Sequence, residues 1–251
     1  MVAADPGALD LALARADAYR VLAAIFRDPD DRVAEDRLEL RTLRSAARRL
    51  GSAVTSAEWA GIRPIERRAG RAAEHRAIFG HVVAHGCPPY ETEFGRRHVF
   101  GQSQELGDIR GFYEAFGVRP RPGGERPDHI ACELEFLALL ALKEAVAVAA
   151  GDDQRVELCH TATRSFLQDH PGRWARAFAA RIAQRAPASG YAAAAAIAAR
   201  LLGEHALALG ALPVLLDPDD LLPIIEEPDG FQFECGVDVA AGDLVPPDGE
   251  P

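Results

Sequence analysis

Apolar residues recur along this chain at the 3.6-residue spacing of amphipathic helices over most of its length. From Pro6 to Arg27, the residues Leu9, Leu13, Ala16, Tyr19, Leu22, Ala23 and Phe26 fall on one helical face. Asp5 and Pro6 supply a cap and a first helical residue, and the acidic turn "DPDD" supplies a stop. The same spacing predicts helices at 34–50, 56–85, 103–116, 129–150, 153–169, 171–186 and 190–210, each bounded by Gly, Pro or an acidic turn. No alternation of strands with helices is visible. One run has period 2, "FQFECGVDV", in which Phe231, Phe233, Cys235, Val237 and Val239 alternate with small or polar residues. A single strand has no partner to pair with, so this run reads as part of an extended tail. The expected fold is all-α.

The segment "GVRPRPGGERPD", residues 117–128, concentrates prolines and glycines between two helical runs and reads as a hinge. It divides an N-terminal helical lobe, 1–122, from a C-terminal helical lobe, 123–212. Beyond these, 213–251 holds too many prolines for a long helix and too many aliphatics for free disorder, so it is expected to pack on the body before loosening. A proline-rich hinge permits exchange of lobes between two chains, which leaves monomer and domain-swapped dimer both open.

Composition narrows the function. With 251 residues, 48% of them hydrophobic and 26% charged, the chain can bury a substantial core. The net charge of −10 disfavours nonspecific nucleic-acid binding and favours a basic peptide or basic protein surface. Of its 28 basic residues all but Lys143 are arginine, a coding bias that weakens arguments from any single arginine. The opening residues lack the basic-then-apolar order of a signal peptide, and the most apolar run, 191–212, is interrupted by Arg200, Glu204 and His205. A cytoplasmic location is expected. Cys87, Cys132, Cys159 and Cys235 are scattered without a CxxC pair, so neither a zinc knuckle nor a disulfide framework is signalled.

Catalytic patterns are sparse. His81 and His85 stand four residues apart and could chelate a metal with Cys87 or Glu91, although the glutamate of an HExxH motif is missing; two histidines in a last helical turn also suit the helix dipole. "ELCH" at 157–160 is a lone Glu-x-x-His where a di-iron bundle needs two. No nucleophile elbow, phosphate loop or dinucleotide fingerprint occurs. Two segments remain, "CPPYETEFG" at 87–95 and "ERPDHIACELEFLALLALKEA" at 125–145. In the second, Ile130, Leu134, Leu137 and Ala141 form an apolar stripe with Glu133 and Glu135 as an acidic shoulder. Asp128 is placed either to cap that helix or to face a ligand, and nothing local requires a histidine at 129, so His129 is expected to be exposed.

The ordered segments "AEHRAIFGHVVAHGCPPYETEFG", "QELGDIRGFYEAFGV", "ERPDHIACELEFLALLALKEA" and "FLQDHPGRWARAFAARI" resemble the TorD/DmsD family of cytoplasmic chaperones for molybdenum enzymes. The resemblance runs over roughly residues 9–210; Pro89-Tyr90-Glu91 is similar to that family's Pro-Tyr-Glu element and Pro127-Asp128-His129 to its Pro-Asp-His element. Its variant "ETEFG" is nearer to the branch serving periplasmic dehydrogenases and oxyanion reductases.

The resemblance implies an all-helical protein without catalytic activity or resident cofactor. Its partner would be the catalytic subunit of a molybdenum enzyme, held by the twin-arginine signal peptide or a nearby surface until the cofactor is loaded. Tyr90, Glu91, Glu93, Phe94, Asp128, His129 and Glu133 are then the candidate peptide-binding residues, carboxylates for two guanidinium groups beside aromatics for an apolar stretch. Two alternatives stay open: a metal-dependent helical enzyme built on His81, His85 and a carboxylate, and an acidic adaptor that binds mature subunits only.

Overall fold

The computed structural model describes residues 5–31, 34, 37–79, 87–95, 99–119, 121 and 124–219. Among them are nine α-helices: α1 (Pro6–Phe26), α2 (Leu40–Arg49), α3 (Ser56–Gly61), α4 (Arg68–Phe79), α5 (Val99–Ala115), α6 (Ile130–Ala150), α7 (Asp153–Asp169), α8 (Pro171–Arg185) and α9 (Gly190–Ala208). Short 3₁₀ turns occupy Arg63–Glu66 and Glu91–Glu93. No regular strand is present among the described residues; extended backbone pairs at isolated antiparallel bridges, among them Arg37 with Arg67 and Tyr90 with His129. The fold is all-α. The period-2 run at 231–239 lies outside the described residues.

Helix α6 is the central element. Ile130, Leu134, Leu137 and Ala141 are buried as expected, and so are Ala131, Phe136, Leu140 and Ala145 around the rest of its girth. A helix apolar on nearly all sides needs neighbours on nearly all sides, and α6 has α1 along its length and α7 antiparallel to it. Gly151 makes the tight reversal into α7 with φ of 66°, a left-handed conformation that side-chain-bearing residues rarely adopt.

Helix α1 begins as its sequence specifies, with the Asp5 carboxylate accepting from Gly7 N–H at 2.8 Å and Pro6 in the first turn. Its buried face differs from the expected one in the first half. Leu13 is 39% exposed, whereas Ala12, Ala14, Ala16 and Ala18 are buried. Alanine lets two helix backbones approach closely, and α1 is enclosed by α2, α6 and α9, so small residues on several sides take the place of one leucine stripe. Tyr19, Leu22, Ala23 and Phe26 are buried as read.

The run 56–85 is a single amphipathic pattern in sequence and a broken element in space. Its described part divides into α3, the 3₁₀ turn and α4, with Pro64 inside the turn. Proline lacks the N–H that would continue the helical ladder. Gly61 meets α9 so closely that a Cβ there would lie 2.9 Å from the Ala193 Cβ. The predicted helix at 34–50 starts later, at Leu40, because Arg37 and Leu38 are extended and Leu38 N–H donates to the Glu66 carbonyl at 2.8 Å.

One apolar core unites residues from both sides of 117–128, among them Tyr19, Leu22, Ile65, Phe94, Leu134, Trp174, Phe178 and Tyr191. No helix among the described residues is long and apolar enough to cross a membrane.

Candidate functional site

Two backbone hydrogen bonds join the two sequence elements that stood out. Glu91 N–H donates to the Asp128 carbonyl at 2.9 Å, and Ile130 N–H donates to the Pro89 carbonyl at 2.9 Å. Pro89-Tyr90-Glu91 and Pro127-Asp128-His129 thus lie side by side as an antiparallel bridge at the start of α6. Extended backbone is what Pro88 and Pro89 favour, since proline fixes φ and biases the residue before it away from helix. Tyr113 anchors the second strip from α5, its hydroxyl donating to the Pro127 carbonyl at 2.7 Å.

The expected cap of α6 is corrected by this geometry. His129, not Asp128, is the N-cap: its Nδ1 accepts from Ala131 N–H at 3.1 Å. The ring is 2% exposed, stands edge-on to Tyr90 with centroids 5.1 Å apart, and so has the structural duty that the sequence did not reveal. Burial, reinforced by the positive charges of His75, Arg126 and Arg27, pushes its pKa down to about 3, so the imidazole is neutral and free to accept.

Asp128 faces a different set of groups. Its Oδ2 accepts from the Thr92 hydroxyl at 2.8 Å, while Arg126 donates through Nε to Oδ1 at 3.0 Å and through a terminal nitrogen to Oδ2 at 2.7 Å. This is the two-pronged pairing for which a guanidinium and a carboxylate are matched. The same guanidinium reaches Glu93 at 3.1 Å and the Thr92 hydroxyl at 2.6 Å, and its carbon lies 4.5 Å from the Tyr90 ring centroid. Gln102 of α5 donates to Thr92 at 3.0 Å. Tyr90 completes the surface side by donating its hydroxyl to Glu125 at 3.1 Å, and burial holds the Glu125 carboxyl above its ordinary range.

Beneath this layer the remaining candidates are interior. Glu91 is 2% exposed and its Oε2 meets His170 Nδ1 at 3.1 Å. Glu133 is fully buried and accepts from Trp174 Nε1 at 3.1 Å; burial, then the neighbouring Glu91 charge, hold its pKa well above the carboxylate range. Phe94 packs between Trp174, 5.2 Å away, and Phe178, 6.4 Å away, inside the core. Glu135 is on the surface, paired with Arg27. Of the seven candidates, then, Tyr90 and Glu93 reach solvent, Asp128 lies buried directly against the part-exposed Arg126 guanidinium, and the other four support them from below.

Six further residues at the site, Thr92, Gln102, Glu125, Arg126, His170 and Trp174, carry no signal in the sequence. Arg126 is one arginine among 27, and the His170 and Trp174 of "QDHPGRW" sit about 80 residues from Glu91, a separation that no local pattern bridges. Next to Glu125 and Pro127 opens a recess of about 350 Å³ that is also lined by Val118, Phe136, Leu139 and Glu135. Arg27, Arg119 and Arg121 line it too, Arg27 paired with Glu135 and Arg121 with Asp31, so carboxylates, arginines and apolar walls adjoin. His81 and His85 lie outside the described residues, and no group of three metal-ligating side chains occurs among those described.

Comparison with known proteins gives concordant results. Residues 39–180 match the family model described as nitrate reductase delta subunit. A selenate reductase assembly chaperone protein from Thauera selenatis is 38% identical over 34% of this chain and 44% of its own. A chlorate reductase assembly chaperone protein from Ideonella dechloratans is 39% identical over 33% of this chain and 42% of its own. A dimethyl sulfide dehydrogenase assembly chaperone protein from Rhodovulum sulfidophilum is 32% identical over 59% of this chain and 63% of its own. The matches thus span from under half to under two thirds of these relatives' lengths. No solved structure matches the chain. With more than half of its residues inside the matched region and its paired Pro-Tyr-Glu and Pro-Asp-His elements at the centre of the fold, the chain belongs to the nitrate reductase delta subunit family, to which the TorD/DmsD-like proteins belong.

Proposed function

We propose that this protein is a cytoplasmic assembly chaperone for a molybdenum-cofactor enzyme, and that it holds the twin-arginine signal peptide of that enzyme until the cofactor is loaded. The relatives named as assembly chaperones support a non-catalytic role. The observation that carries the peptide reading is the environment of Arg126. A guanidinium lies against Asp128, Glu93 and Thr92 with Tyr90 over its face, in a position where its side chain is 39% exposed.

A site with these dimensions accepts an arginine in two ways. A client arginine displaces Arg126 and takes its hydrogen bonds, or it pairs with Glu93 and Glu125 at the rim while Arg126 stays. The apolar residues of the peptide enter the neighbouring recess beside Phe136 and Leu139. Tyr90, Glu93 and Asp128 make the contacts; Glu91, Phe94, His129 and Glu133 keep the two strips in place. Residues 117–128 act as the hinge between the two lobes, and displacement of Arg126 loosens that segment from the turn at 91–93.

Calorimetric titration with a twin-arginine peptide and its Lys-Lys counterpart tests this. An ammonium cannot make two parallel hydrogen bonds to one carboxylate, so the Lys-Lys peptide is expected to bind about tenfold more weakly. Equal affinities would remove the guanidinium role of these carboxylates. Absence of binding to both, with binding to the mature client retained, would favour the acidic adaptor.

A further inference from the structure

Residues 220–251 hold nine Asp and Glu side chains and no Lys, Arg or His, so nearly all of the chain's net charge of −10 lies in this stretch. The acidic residues are interleaved with apolar ones, most prominently Phe231 and Phe233 next to Glu226, Glu227 and Glu234. A segment of that composition is complementary to an apolar surface with cations beside it.

The body offers one. An open recess of about 600 Å³ lies between the end of α5, the second half of α6 and the first half of α7. Leu142, Val146 and Leu158 line it while 48%, 68% and 59% exposed, next to Phe116 and Ala147. Three part-exposed aliphatic side chains side by side form an apolar seat that another segment can cover. Two cations flank it. Lys143, the chain's only lysine, lies 6.0 Å from the Phe116 ring centroid and has no carboxylate partner among the described residues. Arg155 is 74% exposed and pairs, among the described residues, with Asp152, the N-cap of α7.

The course of the chain leads there. Leu216 N–H donates to the Arg173 carbonyl at 2.9 Å, and Leu212 and Val214 line a second recess, of about 870 Å³, with Phe112 and Ala115 of α5. Ala115 lines both recesses, so the two meet along α5. The distance along α7 from Asp169 to Leu158 is about 16 Å at the helical rise, and the chain from Asp219 to Phe231 can span about 40 Å when extended. Reach is ample.

We propose that residues 220–251 return across α5 and α7 and seat Phe231 and Phe233 in the recess formed by Phe116, Leu142, Val146 and Leu158. Glu226, Glu227 and Glu234 then stand near Lys143 and Arg155. The protein then covers an exposed apolar surface of its own, and the occupant is tethered rather than borrowed from another molecule. This surface is separate from the Tyr90–Arg126 site, so the proposal stands whether or not that site binds a signal peptide.

The single lysine makes a direct test possible. A carbodiimide activates a carboxylate and the Lys143 amine then closes an amide, with the reagent released as its urea. On the full chain at low concentration, mass spectrometry of digested monomer is expected to place Lys143 on Glu226, Glu227 or Glu234. A merely tethered tail would also meet Lys143 by diffusion, so the decisive comparison is with Phe231→Asp/Phe233→Asp and, from the other side, Leu158→Glu. Each is expected to reduce the intramolecular product about tenfold, the worth of one or two buried aromatic contacts, with helical circular dichroism unchanged. Yields that ignore these substitutions, cross-links found only between two copies, or no cross-link at Lys143 would each overturn the proposal.

Discussion

Arg126→Ala isolates the pairing that joins the two sequence elements. The wild-type guanidinium gives Asp128 two hydrogen bonds, of 3.0 and 2.7 Å, and gives Glu93 one of 3.1 Å. Asp128 is fully buried, and after the substitution it keeps only Thr92, through the hydroxyl at 2.8 Å and the N–H at 3.3 Å. Stranding one member of a buried ion pair costs about 3–5 kcal/mol. The Arg126 side chain is 39% exposed, so solvent screens part of the pairing and water can reach the vacated place. With that discount we expect a loss of about 1–3 kcal/mol. Adding Asp128→Asn removes the stranded charge while keeping a side chain of the same shape. The double variant is therefore expected to be about 1–2 kcal/mol more stable than the sum of the single losses. Urea unfolding followed by far-ultraviolet circular dichroism measures all four proteins, and unchanged slopes would confirm that midpoints can be compared. An Arg126→Ala loss below about 0.5 kcal/mol, or strict additivity in the double variant, would refute the account of a buried charge held by Arg126.

Stability should depend on pH through buried imidazoles. Burial pushes both His129 and His205 down to about 3, so the unfolded chain takes up their protons first; their contribution is whole above about pH 6.5 and is lost as the pH falls towards 3. Between pH 6.5 and 5 each costs about 2 kcal/mol, and Glu133, whose raised pKa makes folding take up a proton, offsets part of this on the way down. A flat melting temperature across that range, or no flattening of the slope by His205→Gln, would contradict the assignment. Gly190→Ala should destabilise by about 1–3 kcal/mol through overpacking, because its Cβ would lie 2.7 and 2.8 Å from the two γ-carbons of Ile65; an unchanged unfolding midpoint would count against tight contact there.

Much of the architecture was legible because helix period and caps are local. Helix α6 could be read residue by residue, since its leucines, Ile130 and Phe136 outnumber its polar residues, and α1 could be bounded from Asp5 and Pro6. The face of α1 could not be read fully. Its first half packs through alanines, which carry little pattern, and leaves Leu13 partly outside. The run 56–85 misled for a related reason: hydrophobic spacing continues through Pro64 even though the hydrogen-bond ladder cannot. At the site, the two triplets were visible as words, but their antiparallel pairing is a contact across more than thirty residues, and so is the Thr92–Asp128 bond. Burial decided the rest. Glu91 and Glu133 have the composition of a receptor surface and the positions of core residues, bonded to His170 and Trp174 from α7's end and α8.

The partnership of α1 with α6 bears on how the polypeptide is made. Helix α1, Pro6–Phe26, finds its long companion only after Ile130–Ala150 has been synthesised. Until then α2 is the one of its three packing neighbours already made, and the faces of α1 that meet α6 and α9 stay uncovered. An all-helical chain of mostly local contacts would fold piece by piece as it emerged. Here α1 must wait for more than a hundred further residues before its main partner exists, so part of its apolar surface stays exposed for a long interval of synthesis.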